Sequence, residues 1–266
     1  MFKNNSTIAP PPDARLSNNW NKKAFTLAEI LITLGIVGII AALITPTLTA
    51  NIRRAELKNR FKKMDSIVSR GILNTVQELG YNSFNDMDIP ANTPNSEVQS
   101  IYDNYNSIFL SQFKIIKSIS ICNDQQGKKP IKNYFLEDDA YRKYCWAYGN
   151  DNNNNNNNVA YILSDGSSIS VISYAKDTSK IMPQITIDTN GPYKGPNANG
   201  YDLFTIKSEL NEKRTSGMLC APLAQTTANL SGCYWFAHKD TSSLNNLNYW
   251  DVLYHKRDYW EKLKNK

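Results

Sequence analysis

An apolar run of 20 residues near the N-terminus constrains this chain more than any other feature of its sequence. The run, FTLAEILITLGIVGIIAALI, extends from Phe25 to Ile44 and contains one charged residue, Glu29. As an α-helix with a rise of about 1.5 Å per residue it is about 30 Å long, which matches the hydrocarbon thickness of a bilayer. Glu29 lies near the start of the run, where a carboxylate can stay close to the headgroups. We therefore expect a retained transmembrane helix; a buried core helix, the alternative, is usually shorter.

The residues on either side of this run do not fit an ordinary secretory signal peptide. Residues 1–24 are hydrophilic, carry a run of three prolines and end in Lys-Lys-Ala. A secretory signal has a shorter apolar region, followed by a cleavage site of small residues. Here the bulky Leu48 stands where such a site needs a small residue. A conventional signal, cut before Asn51, stays the alternative prediction.

The segment around residue 25 resembles a known processing signal. Residues 22–29, KKAFTLAE, followed directly by the apolar run, are similar to the prepilin leader-peptidase signal of type IV pilins and type II secretion pseudopilins. The resemblance implies a cut between Ala24 and Phe25 on the cytoplasmic side, followed by N-methylation of Phe25. It also implies that Glu29 and Pro46 serve subunit assembly. The family usually has Gly before the cut, and Ala24 at that position suggests slower processing.

This resemblance implies a pilin-like subunit with a single pass through the bacterial inner membrane and a head outside the cytoplasm. Such a subunit polymerises into a type II secretion pseudopilus or a type IV pilus, and the shared signal does not separate the two. Its partners would be other subunits, the prepilin peptidase and N-methyltransferase, and an inner-membrane assembly platform. By charge alone, the basic residues between Arg53 and Lys63 would place the C-terminal side in the cytoplasm. The resemblance favours an external head, and so do the two disulfide bonds that the four cysteines of the chain predict.

Glu29 has a specific expected partner. A cut before Phe25 creates a positive amine at the start of an apolar helix, where the helix dipole disfavours positive charge. A buried amine and a buried carboxylate are each costly alone, so helices that bundle in lipid favour pairing them. Because Glu29 lies a full turn from Phe25 in its own helix, we expect it to pair with the Phe25 amine of an adjacent subunit. A Glu29 at the membrane interface without a partner is the alternative.

Helical spacing continues after Pro46 and predicts one long helix, about residues 25–79. Apolar residues recur every three or four positions on one face. They are Leu57, Phe61, Met64, Val68, Ile72, Val76 and Leu79. Gly80 is a suitable end for the helix. The expected domains are a leader (1–24), a transmembrane and assembly helix (25–46), its amphipathic continuation (47–80) and a globular head (81–266).

The head is expected to add a β-sheet to this helix. The sequence predicts a short helix around Val98–Phe113, and Asp165-Gly166 marks a hairpin turn. Short strands are predicted at Val159–Leu163, Ser168–Ser173, Gln184–Asp188, Leu203–Lys207 and Tyr234–Ala237. The Asn-rich loop at 150–158 has no apolar face to bury and is expected at the surface. The fold class is therefore α+β, with the long helix packed on an antiparallel sheet, as the pilin resemblance also implies.

The loop 188–202 lies between two predicted strands and is the candidate metal site. Asp188, Asn190 and Asp202 offer hard oxygens among glycines that allow tight turns, and Ca²⁺ takes about six to eight oxygens. The spacing is not that of an EF-hand, because the acidic residue at the twelfth position is absent. Some pseudopilins bind calcium in a loop late in the sheet region, and this segment is similar in position. The alternative is a turn without a cofactor, in which the carboxylates cap backbone groups.

Four cysteines predict two disulfide bonds. Cys122, Cys145, Cys220 and Cys233 allow three pairings. Proximity in sequence favours Cys122–Cys145 and Cys220–Cys233, each stabilising the fold by about 3 kcal/mol on the chain-entropy estimate. Zinc is the alternative, but no CxxC is present and only His238 lies near a cysteine.

Motifs and charge distribution argue against an enzyme and against a nucleic-acid binder. The chain has two histidines and none of the HExxH, GxSxG, GxxxxGK[ST] or GxGxxG motifs, so we predict no catalytic residue. Of the net charge of +6, the leader holds +3, residues 51–63 hold +5 and Glu29 holds −1, which leaves −1 for residues 64–266. The aromatic and basic segment 245–266 is interpreted as a docked terminal helix. A DNA-binding or surface-binding minor pilin and a membrane-anchored periplasmic enzyme are the alternative functions.

Overall fold

The computed structural model describes residues 25–123, 132–133, 158–176, 179–195, 197–208, 231–241 and 248–254. The leader, Cys145, Cys220, His255, residues 150–157 of the Asn-rich loop and residues 245–247 and 255–266 of the C-terminal segment lie outside this range. Contacts divide the chain into two compact units, the first ending at Leu48 and the second beginning at Thr49. The fold class is α+β, as expected, with four α-helices and nine β-strands among the described residues.

Helix α1 (Leu27–Glu78) has 52 residues and matches the expected helix to within two residues at each end. It ends at Gly80, which has a φ of +78° in the left-handed region that favours glycine. The N–H of Gly80 donates to the Gln77 carbonyl at 3.0 Å, and the N–H of Tyr81 donates to the Val76 carbonyl at 2.9 Å. These bonds satisfy carbonyls that the last turn of a helix leaves without partners. The prediction of Gly80 as the stop is confirmed.

The second half of α1 supplies one wall of the hydrophobic core. The predicted apolar stripe is buried at Leu57, Phe61, Met64, Val68 and Val76 and partly buried at Ile72 and Leu79. Phe61 lies at the centre, with its ring 4.7 Å from that of Phe204 and 5.3 Å from that of Trp250, measured between centroids. The helical period of the sequence therefore identifies the packed face correctly.

The nine described strands form one mixed sheet. Their bounds are β1 (Ile89–Pro90), β2 (Ile115–Ser120), β3 (Lys132–Asn133), β4 (Val159–Leu163), β5 (Ser168–Ile169), β6 (Ser173–Lys176), β7 (Lys180–Asp188), β8 (Ala198–Asn199) and β9 (Leu203–Lys207). The order is β2-β4-β5-β7-β9-β8-β3, and β1 and β6 also pair with β7. Most pairs are antiparallel, but β3–β8 and β8–β9 are parallel. The expected antiparallel sheet is therefore wrong at the β9-β8-β3 end of this order, where β8 and β3 have two residues each.

Strand β7 organises the sheet. Strands β5 and β6 follow each other along one of its edges, while β9 and β1 share the other. The single strand expected at Ser168–Ser173 is interrupted because Asn106 binds the backbone of Ile172 in the gap. The Ile172 N–H donates to Asn106 Oδ1 at 2.6 Å, and Asn106 Nδ2 donates to the Ile172 carbonyl at 3.1 Å.

Helices α2 (Asn95–Ser111), α3 (Ser231–Lys239) and α4 (Tyr249–Tyr254) complete the described elements, with 3-10 turns at Phe84–Met87 and Ile121–Asn123. Helix α2 begins and ends a few residues earlier than expected. The strand predicted at Tyr234–Ala237 is wrong, because these residues belong to α3. Cys233, Tyr234, Phe236 and Ala237 are buried and share one helical face. The short apolar run that suggested a strand is therefore the packed side of a helix.

Strand β2 was not predicted, and it lies at one edge of the sheet among the described strands. Its pairing with β4 contains a bulge between Ile115 and Lys117. Ile116, the residue in the bulge, is 61% exposed. A bulge bends an edge strand and disturbs its pattern of free backbone groups.

Candidate functional site

The N-terminal end of α1 is closed by a capping box of Thr26 and Glu29. The backbone N–H of Thr26 donates to Glu29 Oε2 at 2.8 Å, and the Thr26 hydroxyl donates to the same oxygen at 2.9 Å. In return, the N–H of Glu29 donates to Thr26 Oγ1 at 3.2 Å. These bonds satisfy N–H groups that the first turn of a helix leaves without partners. Glu29 therefore stabilises the start of its own helix.

The sequence itself indicates this contact, independently of the expected pairing of Glu29 with another subunit. Residues 26–29, TLAE, have the Ser/Thr-x-x-Glu spacing of a capping box. Both bonds from Thr26 end on Oε2, so Glu29 Oε1 accepts no bond from the described residues. Pairing of Glu29 with the Phe25 amine of an adjacent subunit stays a prediction, and the capping box leaves one carboxylate oxygen for it.

The first half of α1 is apolar and exposed. Residues 25–49 are all exposed, and Phe25 and Leu27 retain 80% and 77% of their accessible surface. The most apolar 18-residue window of α1 has a mean hydropathy of 2.6, and none of it is buried. The described part of the chain thus contains one helix that is long and apolar enough to span a membrane. A soluble fold would normally cover an apolar surface of this size.

Pro46 lies inside α1, which continues through it without a break. Proline has no N–H and cannot donate to the carbonyl one turn earlier. On either side, the hydroxyl of Thr45 donates to the carbonyl of Ala41 at 2.6 Å and that of Thr47 to the carbonyl of Ile44 at 2.8 Å. The hydroxyls beside Pro46 are therefore bonded within the helix, as an apolar environment requires. The role of Pro46 in assembly stays a prediction.

The basic residues that follow the apolar segment are largely paired with carboxylates of the same chain. The pairs are Arg54–Asp251, Lys58–Asp240 at 2.5 Å, Arg60–Glu56 and Lys63–Asp165 at 2.8 Å. Exposed pairs such as these contribute about 0–1 kcal/mol each. Their main effect is to neutralise positive charge locally, so that fewer free cations remain to meet anionic lipid headgroups.

Two aspartates of the candidate metal loop are buried and hold the loop backbone. Asp188 Oδ1 accepts the N–H groups of Asn190 at 3.1 Å and Gly191 at 2.8 Å. Asp202 Oδ1 accepts the N–H of Ala198 at 2.7 Å. Its Oδ2 accepts the N–H of residue 197 at 3.0 Å and Nδ2 of Asn190 at 3.2 Å. The structure therefore brings Asp188, Asn190 and Asp202 together, as the sequence predicted.

Burial and hydrogen bonding act in opposite directions on Asp202. Burial raises the pKa of Asp202 to about 6, although the N–H groups of Ala198 and Asn197 and the amide of Asn190 favour the ionised carboxylate. Desolvation is the larger effect. The carboxylate is thus costly to ionise inside the loop despite its donors.

Three amide oxygens in this loop are buried and have no hydrogen-bond partner among the described residues. They are Oδ1 of Asn190, Asn197 and Asn199, and each residue is at most 9% exposed. Such oxygens suit a hard cation, but the carboxylates already bind N–H groups of the loop. No group of three or more His, Cys, Asp or Glu side chains with metal-ligand geometry occurs in the described ranges. Calcium binding stays a prediction, and the capping alternative accounts for the contacts described.

Gly191 places this loop against a neighbouring turn. Its φ is +84°, and a Cβ added there would overlap the carbonyl oxygen of Gly166. On the other side, the Tyr249 hydroxyl of α4 donates to the Gly200 carbonyl. The loop is therefore fixed by both the β4–β5 turn and the C-terminal helix. Tyr249 and Trp250 of α4 are each 2% exposed, so this part of the segment 245–266 packs into the core.

Asp65 on α1 binds two side chains of α3, a contact that the sequence did not indicate. The Tyr234 hydroxyl donates to Asp65 Oδ1, and His238 Nδ1 lies 3.0 Å from Asp65 Oδ2. Burial raises the pKa of the Tyr234 hydroxyl, and the adjacent Asp65 raises it further. Tyr234 therefore stays protonated and acts as a donor. The contact fastens α3 to α1.

Two of the four cysteines lie in the described residues. Cys122 and Cys233 are both disulfide-bonded. Cys145 and Cys220 lie outside the described residues, so the pairing Cys122–Cys145 and Cys220–Cys233 stays a prediction. A disulfide-bonded sulfur is not a zinc ligand, which argues against the zinc alternative at these two positions.

Comparison with known proteins gives no match. No protein-family model, no curated protein and no solved structure matches this chain.

Proposed function

We propose that the chain is the precursor of a pilin-like subunit that is cut before Phe25, N-methylated there and assembled into a fibre through α1. The observation that carries the proposal is the sequence KKAFTLAE placed directly before an apolar helix. The helix begins at Leu27 and leaves Phe25 outside its first turn. The predicted cut thus falls directly before Phe25, which precedes the helix and is 80% exposed.

The exposed apolar half of α1 is the proposed assembly element. Before assembly it spans the inner membrane once, with the head outside the cytoplasm. In the fibre, the same surface packs against the helices of other subunits, and Glu29 pairs with the Phe25 amine of a neighbour. A secretion pseudopilus and a type IV pilus both fit this proposal. The prepilin peptidase and the inner-membrane assembly platform are its expected partners.

The test is the N-terminal residue of the mature protein. The full chain is expressed in a bacterium that has a prepilin peptidase and in a strain that lacks it, and the mature N-terminus is determined by mass spectrometry. We expect N-methyl-Phe25 in the first strain and the uncut chain in the second. A mature protein that begins at Asn51 in both strains would indicate an ordinary secretory signal and would exclude the proposal.

A second measurement separates assembly from processing. Glu29→Gln keeps the size of the side chain and removes its charge. We expect this variant to be cut before Phe25 and to form far fewer filaments than the wild type by electron microscopy. If it forms filaments as well as the wild type, the pairing of Glu29 with a neighbouring amine is wrong.

A further inference from the structure

Charges are separated between α1 and the segment that follows it. Residues 51–70 contain seven Lys and Arg side chains and two acidic ones, a net charge of +5. Residues 71–113 contain five acidic side chains and no Lys or Arg, a net charge of −5. A surface that only serves solubility mixes both signs. A separation of this size favours binding to a surface of complementary charge.

Some of these charges are already used within the second unit. The ion pairs of Arg54, Lys58, Arg60 and Lys63 are described above, and Asp88 pairs with Lys180 at 2.7 Å. Arg53, Lys62 and Arg70 stay exposed on α1 and have no ion pair among the described residues. Arg53 lies about half a turn around the helix from Lys62 and is therefore not on the same face. The carboxylates of residues 71–113 that are likewise exposed, with no ion pair among the described residues, are Glu78, Asp86, Glu97 and Asp103. We refer to Lys62 and Arg70 as the basic face and to these four carboxylates as the acidic patch.

The basic face lies on the outer side of α1, away from the core. Lys62 and Arg70 are two turns apart and share this side with Leu73, which is 53% exposed. An exposed Leu beside two unpaired cations resembles the mixture of an interface more than that of an ordinary charged surface.

The acidic patch begins at the C-terminal end of the same helix and continues through the following 3-10 turn into α2. Glu78 is in the last turn of α1, and the hydroxyls of Tyr81 and Tyr105, 3.1 Å apart, hold the middle of α2 beside this end. Arg70 and Glu78, the nearest members of the two surfaces along α1, are eight positions apart, which is about 12 Å along a helix. This separation exceeds the Debye length of about 8 Å at physiological ionic strength. The two surfaces therefore do not neutralise each other within one chain.

We propose that the acidic patch of one copy of this chain binds the basic face of a second copy that is shifted along the axis of α1. A contact between two different surfaces of identical copies repeats without closing and produces a fibre. The inference rests on the proposed function, to which it adds the surfaces that set the register between heads. Charge complementarity sets this register, while the apolar half of α1 supplies the adhesion.

The experiment uses the full processed chain in detergent, as a mixture of unlabelled and ¹⁵N-labelled copies treated with a carbodiimide. This reagent joins a lysine amine to a carboxylate in direct contact, and mass spectrometry distinguishes links between copies from links within one. We expect mixed-isotope links from Lys62 to carboxylates of the acidic patch. Their absence in a sample that self-associates would overturn the proposal.

Charge reversal provides the second measurement. Lys62→Glu with Arg70→Glu makes the basic face acidic, and Glu78→Lys with Glu97→Lys and Asp103→Lys gives the acidic patch a net charge of +2. We expect each charge-reversed variant alone to self-associate about tenfold less than the wild type, because its two surfaces then repel each other. A mixture of the two should recover most of the association, since every contact between unlike copies is attractive. Lys114→Glu with Lys117→Glu, at exposed positions outside both surfaces, is the matched control.

The outcomes separate this inference from the proposed function. If both reversals assemble like the wild type while Phe25 is methylated, the register contact is wrong and the proposed function stands. If reversal of the basic face lowers binding to anionic vesicles but leaves self-association unchanged, a lipid surface is its partner and the inference is overturned. A wild type that is not cut before Phe25 and does not self-associate overturns both.

Discussion

Two regions depart from the usual arrangement of buried apolar and exposed polar residues. The first half of α1 exposes apolar residues, and the loop 188–202 buries polar ones. The helix half is apolar and exposed, whereas the loop contains Asp188 and Asp202 at 0% exposure. In the loop, the chain itself supplies the partners, since the buried carboxylates accept N–H groups of the same loop. In the helix half, the described part of the chain supplies no cover.

The loop is therefore suited to the interior of one molecule, whereas the helix half is suited to contact with lipid or with other molecules. A buried polar group is tolerated when its hydrogen bonds are satisfied locally. An exposed apolar surface of this size needs lipid or other copies of the chain. The loop therefore has the characteristics of a structural element, and the helix half those of a binding surface.

Loss of the Asp202 carboxylate should give the largest effect. Asp202→Ala leaves three N–H donors without acceptors, and each costs about 1–3 kcal/mol when buried. We expect the free energy of unfolding of the head to fall by about 3 kcal/mol or more in urea titrations. Lys194→Ala, at an exposed position of the same loop, should change it by less than about 0.5 kcal/mol. Equal effects at the two positions would mean that the buried carboxylate is not what holds the loop.

A charge in the apolar half of α1 should disturb membrane insertion and leave the head intact. Arg at the centre of a spanning helix costs about 2.5–3.5 kcal/mol, so Gly38→Arg should reduce the membrane-integrated fraction strongly. Gly38→Leu is the matched control and should integrate normally. The measurement is the integrated fraction after alkaline extraction, together with the melting temperature of the head. A lower melting temperature with unchanged integration would contradict the assignment of this half to the membrane.

Gly191 tests the contact between the loop and the β4–β5 turn. Gly191→Ala combines a left-handed backbone with overlap on the Gly166 carbonyl, and should cost about 2–3 kcal/mol in the free energy of unfolding. A Cβ at Gly195 meets no atom within 4 Å. Gly195→Ala should therefore stay within about 0.5 kcal/mol of the wild type. Similar losses from both substitutions would indicate that loop flexibility, and not this contact, determines the change in the free energy of unfolding.

The pKa of Asp202 predicts how stability depends on pH. Its folded value of about 6 lies above the ordinary 3.8, so the folded state binds the proton more tightly than the unfolded state. Ionisation of this group therefore costs stability above about pH 6, and the cost is relieved as the pH falls toward 4. We expect Asp202 to contribute about 2 kcal/mol more stability at pH 4 than at pH 7. The difference in unfolding free energy between wild type and Asp202→Asn, measured across this range, isolates the contribution; a flat difference would contradict it.

Calcium should have the smallest effect. Because the loop carboxylates already hold backbone N–H groups, we expect the melting temperature in millimolar Ca²⁺ to equal that in EDTA. A bound ion at about 100 times its Kd would stabilise the head by about 2.7 kcal/mol. A saturable rise in melting temperature that is lost in Asp202→Asn would restore the calcium hypothesis.

Local patterns predicted the elements with a strong period and missed those that depend on distant contacts. The stripe from Leu57 to Val76 identified the packed face of α1, and Val159–Leu163 and Leu203–Lys207 were predicted with the bounds observed. The strand at Ser168–Ser173 was interrupted by Asn106, which comes from a different element. No local pattern contains that information.

The candidate site shows the same division. The loop residues Asp188, Asn190 and Asp202 were found from composition and spacing, because turn-forming residues concentrate there. The interaction of Asp65 with Tyr234 and His238 was not, because it joins residues 169 and 173 positions apart. The role of Glu29 in the capping box is encoded locally, in the Thr-x-x-Glu spacing of residues 26–29.

The bulge in β2 has a consequence for crowding. Side-by-side copies in a fibre would hold their sheet edges at a high local concentration, and a long flat edge strand would then promote irregular β-aggregation. The bulge at Ile116 and the charge of Lys117 make this edge a poor template for pairing. In the proposed fibre, the bulge would therefore keep neighbouring sheet edges from pairing irregularly.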